Sequence, residues 1–324
     1  MKVLVTGAGG MVGSHMVEIL KKRNYDVLGT YYKPTVNLDE IDKSIKLVQC
    51  DVRYFQNVLR IINEFRPDKI FHLAAQSFPT VSWEQPFATI DTNINGTISV
   101  FESIKFIRAN FDKSYDPIVV VACSSAEYGT TLDRLNGEKV KENAELLPLH
   151  PYGVSKVGQD LLSYQYYQND KIKTIRARIF NTTGDRKIGD VCSDFTRRAV
   201  EQEKQGNGKY VLKVGNLNTY RAIMDYHDLI SALILLSEKG TWGEAYNICA
   251  EKAIQMKDIV AAIEKYMNIK FTLDVDKALL RPTDEKIIIG DVSKLKKDTG
   301  WEQKEELEST IKRMIDYWRQ KCKQ

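Results

Sequence analysis

The first thirteen residues constrain the chain more than any other stretch. "KVLVTG" is a short β-branched run, and Thr6-Gly7-Ala8-Gly9-Gly10-Met11-Val12-Gly13 carries glycines at 7, 10 and 13 into a helix-period segment, Val12 to Arg23. A strand that turns on glycine straight into a helix starts a crossover unit. The first glycine permits the tight turn, the second lets backbone N–H groups approach a pyrophosphate, and the third allows close helix–strand packing. The alternation continues through "DVLGTYY", through "IKLVQCD" with Val58 to Phe65, through "KIFHLAA" with Thr92 to Ile107, and through "PIVVVAC".

Strands alternating with helices in this way predict an α/β fold, a doubly wound parallel sheet of the Rossmann type with helices on both faces. "PYGVSKVGQDLLSYQYYQ" reads as a further helix feeding the strand "IKTIRARIF", after which the pattern loosens into a turn-rich loop, "NTTGDRKIGDVCSD". The organisation expected is a dinucleotide-binding domain from residues 1–180 with 223–240, and a smaller α/β substrate-binding lobe from 181–222 with 241–324. In the C-terminal segment Leu307, Ile311, Met314, Ile315 and Trp318 share one face, as in a helix packed on a core.

Composition excludes several classes. Net charge over 324 residues is +4 and the lysines interleave with acids, so no basic stripe offers a nucleic-acid track. No run reaches the ~18 apolar residues of a membrane span. The five cysteines are scattered, odd in number and without a C-x-x-C pair, which argues against a disulfide framework and against a zinc site. With "MKVLVTG" opening a fold and no charged leader ahead of an apolar segment, a reducing cytoplasm is the expected compartment.

At the cofactor end, Gly7, Gly10, Met11, Val12 and Gly13 are the expected pyrophosphate cradle. The end of the second strand, "LGTYYKPT", lacks the carboxylate that an NAD enzyme uses on the ribose 2′-hydroxyl and offers Lys33 and Thr30, a pattern that favours NADP(H), with NAD(H) as the alternative. Asp51 and Val52 suit the adenine edge. Leu73, Ala74, Ala75 and Gln76 form a small-residue strand end under the nicotinamide half, and Asn93 completes the set.

At the chemical end, Tyr152 and Lys156 lie four apart on one helical face. An ammonium near a phenol favours the phenolate and so promotes proton exchange with a carbinol or ketone. Upstream, the apolar run Ile118 to Ala122 ends in "CSSAEYG", which supplies the hydroxyls of Ser124 and Ser125 where a strand meets its ligand.

Together "TGAGGMVG", "HLAAQ", "CSSAEYG", "PYGVSK" and "RIFN" resemble the extended short-chain dehydrogenase/reductases of the NAD-dependent epimerase/dehydratase family, which modify nucleotide sugars. The resemblance implies that Ser124, Tyr152 and Lys156 form a catalytic triad. The second half, "KVGNLNTYRAIMDYHDL" and "RPTDEKIIIGDVSKLKKDTGW", is similar to the branch holding GDP-mannose 4,6-dehydratase and GDP-4-keto-6-deoxymannose reductase. By that likeness Asn181, Lys213, Asn216, Arg221, Arg281 and Asp284 or Glu285 bind the nucleotide diphosphate of a GDP-hexose, and a homodimer or homotetramer is implied.

Elimination needs more acid/base groups than hydride transfer does. Family dehydratases carry a glutamate two places before the Tyr-Gly pair, where this chain has Ala126; Ser125 precedes it and Glu127 follows. A one-residue shift in an extended segment turns a side chain to the opposite face. The leading expectation is therefore hydride transfer at C4 by a 4-keto-6-deoxyhexose reductase. The alternatives are a 4,6-dehydratase in which a bulge brings Glu127 into the site, a 4-epimerase, and a non-catalytic nucleotide-binding redox sensor.

Overall fold

The computed structural model describes residues 1–279 and 285–323. In chain order the first half holds β1 (Lys2–Thr6), α1 (Met11–Lys22), β2 (Asp26–Tyr31), β3 (Lys46–Gln49), α2 (Phe55–Phe65), β4 (Lys69–His72), α3 (Pro79–Glu84), α4 (Pro86–Ile90), α5 (Gly96–Asn110), β5 (Ile118–Ser124), α6 (Thr130–Arg134), α7 (Pro151–Asp170) and β6 (Lys173–Ile179). The second half adds β7 (Thr182–Thr183), α8 (Val191–Gln205), β8 (Tyr210–Val214), β9 (Tyr220–Arg221), β10 (Met224–Asp225), α9 (Tyr226–Lys239), β11 (Ala245–Ile248), β12 (Ile254–Gln255), α10 (Met256–Met267), β13 (Phe271–Val275), β14 (Ile287–Ile288), α11 (Ser293–Thr299) and α12 (Leu307–Lys321).

Seven strands pair in the order β11-β6-β5-β4-β1-β2-β3, all parallel. Strand β1 shows why such a sheet needs two helical layers. Val3 and Val5 enter one core with Met16, Val17 and Leu20 of α1 and Leu229, Leu233 and Leu236 of α9. Leu4, one residue out of phase, enters the other with Ile61 and Ile62 of α2 and Val100, Ile104 and Ile107 of α5. The sheet order reverses between β1 and β4, so the carboxyl ends of these strands open a crevice there.

The main sheet extends past residue 240, where the sequence reading closed the first domain. Ala245–Ile248 is its seventh strand, with Tyr246 opposite Ala177 and Ile248 opposite Ile179. Periodicity marks "EAYNICA" as a short buried run without saying which sheet it joins. The smaller lobe has a third core, in which Phe195 of α8, Leu212 of β8, Ile259 of α10, and Ile311, Met314 and Ile315 of α12 meet. The expected face of the C-terminal helix is thus the packed one, with Leu307 and Trp318 at its margins. Among the described residues no helix is long and apolar enough to cross a membrane.

Candidate active site

The turn after β1 has the shape its glycines require. Gly7 has φ +78°, and a Cβ there would lie 2.7 Å from the Ala74 nitrogen. A Cβ on Gly13 would stand 2.2 Å from the Gly7 carbonyl oxygen, so this glycine sets the approach of α1 to β1. At Gly10 the nearest atom to a Cβ is 3.4 Å away, and α1 starts there without a side-chain cap. The fold itself therefore does not require a glycine at 10. The uncapped N–H groups of Met11, Val12 and Gly13 are the donors a pyrophosphate would use, and the cradle fits a dinucleotide.

Beyond β3 Asp51 is buried, and Arg53 grips it with Nε 3.0 Å from Oδ1 and Nη2 2.6 Å from Oδ2. Burial works against the Asp51 carboxylate, but the hydrogen bonds and charge of Arg53 outweigh it and hold the pKa below the ordinary value. Lys33, left-handed at φ 49°, and Arg53 both lie over the Tyr32 ring, at 5.4 and 5.9 Å from its centroid. Thr30 is buried. The sequence reading did not include Arg53, although an arginine two residues after Asp51 was the available signal of this pairing.

Leu73, Ala74, Ala75 and Gln76 are half-buried at the end of β4, and Val52 is buried beneath α5, close to where a Cβ on Gly96 would lie. Asn93 is fully buried and acts as a strut: its Oδ1 accepts the Gln76 N–H at 2.8 Å, and its Nδ2 donates to Gln76 O and to Ser155 Oγ. It sits in a π-helical turn, Asp91–Asn95, that leads into α5.

Ser124, the last residue of β5, caps the 3-10 turn Ser125–Glu127, and its Oγ accepts the Ala126 N–H at 3.2 Å. The turn packs on α7, where a Cβ on Gly153 would meet the Ala126 carbonyl at 2.7 Å. Ser125 and Ala126 are half-buried, whereas Glu127 is fully enclosed. Its Oε1 accepts the Ser124 N–H at 2.7 Å, and its Oε2 lies 3.3 Å from Arg178 Nε. Glu127 therefore faces inward, contrary to the alternative in which it enters the site: the residue that follows Ala126 is rotated to the opposite side and completes the cap of its own turn. Cys123, Glu127 and Asp160 come within 4.8 Å of one another, yet Arg178 already supplies the positive charge, donating to Asp160 at 2.9 Å.

Helix α7 presents Tyr152 and Lys156 beside this turn. Its N-cap is His150, whose Nδ1 accepts the Gly153 N–H at 3.0 Å while its ring stacks 5.9 Å from that of Tyr152. The sequence reading missed this cap, although a polar residue directly before Pro151 was its signal. Burial pushes the Tyr152 phenol up to about 12, while hydrogen bonding with Ser124 pulls it down. Burial also lowers Lys156 to about 8. Burial dominates at both groups, and the neighbouring charges of Glu127 and Cys123 raise the phenol further. Lys156 Nζ stands 5.7 Å from the Tyr152 ring centroid.

In the smaller lobe Arg221 is buried and donates to the carbonyls of Tyr220 and Glu285 at 2.9 and 2.7 Å. Lys213 is exposed 3.8 Å from Asp276, and Asn216 accepts the Asn218 N–H in the loop between β8 and β9. Asn181 is exposed beyond β6 and its carbonyl accepts the Met224 N–H. Arg281 and Asp284 lie outside the described residues.

The family model for GDP-mannose 4,6 dehydratase matches residues 4–314. GDP-6-deoxy-D-mannose reductase of Pseudomonas aeruginosa is 22% identical, over 80% of this chain and 82% of its own length. Among solved structures, UDP-glucose 4-epimerase of Thermotoga maritima superposes with a TM-score of 0.88 at 23% identity, covering 99% of this chain and 100% of that one. RMD from Pseudomonas aeruginosa complexed with NADPH superposes at 0.82 with 20% identity, covering 99% of each. With a glycine cradle at the switch point and a Ser, Tyr and Lys beside it, the chain belongs to the extended short-chain dehydrogenase/reductases of the NAD-dependent epimerase/dehydratase family, NAD(P)-dependent enzymes that act on nucleotide sugars.

Proposed function

We propose that this protein is a 4-keto-6-deoxyhexose reductase of GDP-sugars that prefers NADP(H). The observation that carries the reading is the turn after β5, where Ser125 and Ala126 are half-buried and the turn's one carboxylate, Glu127, is enclosed as a cap. Elimination of water across C5 and C6 needs a base for the C5 proton, and reduction at C4 does not. The bound nicotinamide supplies the hydride. Ser124 orients the C4 oxygen, Tyr152 gives it a proton, and Lys156 restores that proton and holds the ribose hydroxyls. Lys33 and Arg53, two cations above Tyr32, support recognition of a 2′-phosphate. Arg221, with Lys213 and Asn216, supports binding of the diphosphate. A guanine base is supported by the family model and by the likeness to GDP-6-deoxy-D-mannose reductase. The exposed Val154, Leu161 and Tyr164 of α7 support a homodimer or homotetramer assembled through that helix.

A 4,6-dehydratase is the second reading, favoured by the description of the family model. It requires Glu127 to leave its cap. The deciding assay incubates the protein with GDP-mannose and, separately, with its 4-keto-6-deoxy product, following NADPH and NADH absorbance and product mass. Gain of two hydrogens by the keto sugar with NADPH consumed is the expected result. Loss of water from GDP-mannose with no net change in cofactor would overturn the reductase reading.

A further inference from the structure

Behind the ammonium of Lys156 runs a buried hydrogen-bonded chain. Lys156 Nζ donates to the Ala122 carbonyl and to Gln159 Oε1, both at 2.7 Å. Lysine only donates, so the Gln159 amide must present its oxygen there and its Nε2 to Thr97 Oγ1, 2.8 Å away. Thr97 donates to the Asn93 carbonyl at 2.7 Å and accepts from His72 Nε2 at 3.1 Å. His72 Nδ1 then accepts from Thr6 Oγ1 at 2.9 Å, and Thr6 Oγ1 accepts the Ala74 N–H at 3.2 Å. Gln159, Thr97 and His72 are each 0% exposed. The chain thus runs from the lysine to the end of β4 through fully buried side chains.

The acceptor behind Lys156 is an amide, which cannot ionise. His72 stays neutral, because burial, aided by the nearby Lys156, lowers it to about 3. The other titratable groups around Lys156 are Cys123 from β5, Glu127 from the following turn and Tyr152 on α7 itself, with Arg178 and Asp160 behind Glu127. A carboxylate in place of the amide would stabilise the ammonium; the neutral amide leaves it readily deprotonated.

We propose that Gln159 is a positioning residue of the active site: it seats the Lys156 ammonium through a neutral acceptor anchored by Thr97 and His72, and this neutrality sets the pH window for proton exchange at Tyr152. The inference rests on the reading of Tyr152 and Lys156 as the reacting pair. Its primary test does not.

The test titrates the full-length protein labelled with ε-13C lysine and identifies the Lys156 signal by its loss in Lys156→Met. The wild-type midpoint is expected near 8. Gln159→Glu is expected to raise it by about one pH unit or more, a tenfold or larger fall in the proton dissociation constant, because an adjacent carboxylate favours the ammonium. The alkaline limb of the rate profile for keto-sugar reduction should move the same way. Gln159→Met removes the acceptor and keeps the side-chain length; it is expected to lower the midpoint and to cut kcat about tenfold with the sugar KM unchanged. A Lys156 midpoint within about 0.2 of wild type in a folded variant overturns the proposal. Tyr152→Phe and Lys156→Met separate the two ideas. If both keep wild-type turnover, the reacting pair is misassigned and only the ionisation readout still judges the seat. If both are inactive while the Gln159 variants titrate as wild type, the pair stands and the seat falls.

Discussion

At Glu127 one carboxylate oxygen closes the cap of its turn on the Ser124 N–H, and the other faces Arg178 without a hydrogen bond. Burial, reinforced by the neighbouring charge of Asp160, raises its pKa well above the ordinary carboxylate value despite Arg178. A group in this position acts through Ser124, by holding the backbone that carries its hydroxyl. Glu127→Gln keeps an oxygen for the Ser124 N–H and should retain most of the turnover. Glu127→Ala strands that donor in the interior, while Arg178 keeps Asp160, and should cost about 2 kcal/mol of stability, with reduction and cofactor binding falling together. Urea unfolding and steady-state rates on both variants check this; a Gln variant that loses only water elimination would instead identify a base. The one-residue offset from Ala126 was legible in "CSSAEYG". The cation that receives Glu127 was not, because Arg178 lies on β6, a separate strand.

The elements around the crevice follow from local chemistry. Helix α1 begins at Gly10 with no side-chain cap, and Gly13 admits the backbone of the preceding turn. These two glycines should fail differently. Gly13→Ala puts a methyl 2.2 Å from the Gly7 oxygen and should destabilise the fold by about 2 kcal/mol or more as strand and helix separate. Gly10→Ala fits the protein, and its methyl should weaken NADPH binding tenfold or more while the melting temperature stays within a few degrees. Fluorescence titration with NADPH alongside thermal melts separates the two; equal effects on both readouts would remove the pyrophosphate assignment. The glycine spacing made this element readable in sequence. The π-helical turn holding Asn93 carried no such signal, since Asn93 owes its place to partners at Gln76 and Ser155, on two other segments.

Across the whole molecule the lobes are joined by buried polar groups. The His15 ring of α1 stacks at 3.8 Å on Tyr226, which stacks at 4.0 Å on His227, and His15 Nε2 donates to the Asp185 carbonyl at 3.0 Å. Burial, then the charge of Arg186, lowers His15 to about 3, as burial does for His72. The folded state resists protonation of both rings while the unfolded chain takes protons near 6.5, so the unfolded state binds more protons between those values. Stability from these two groups should fall as pH drops through that window, by about 1.4 kcal/mol per pH unit for each histidine. Unfolding in urea at a series of pH values, for wild type and His15→Gln, measures the share of His15; an unchanged slope in the variant would show that its burial does not contribute. The sequence by itself determined the crossover units, the glycine cradle, the Tyr152–Lys156 spacing and the amphipathic last helix, because each depends on neighbours within a few residues along the chain. The tertiary structure alone decided that Glu127 turns to Arg178, that β11 completes the main sheet and that Gln159, Thr97 and His72 stand in line behind Lys156. Those contacts join residues distant in sequence, and a buried polar group takes whichever partner the packing brings within hydrogen-bond reach.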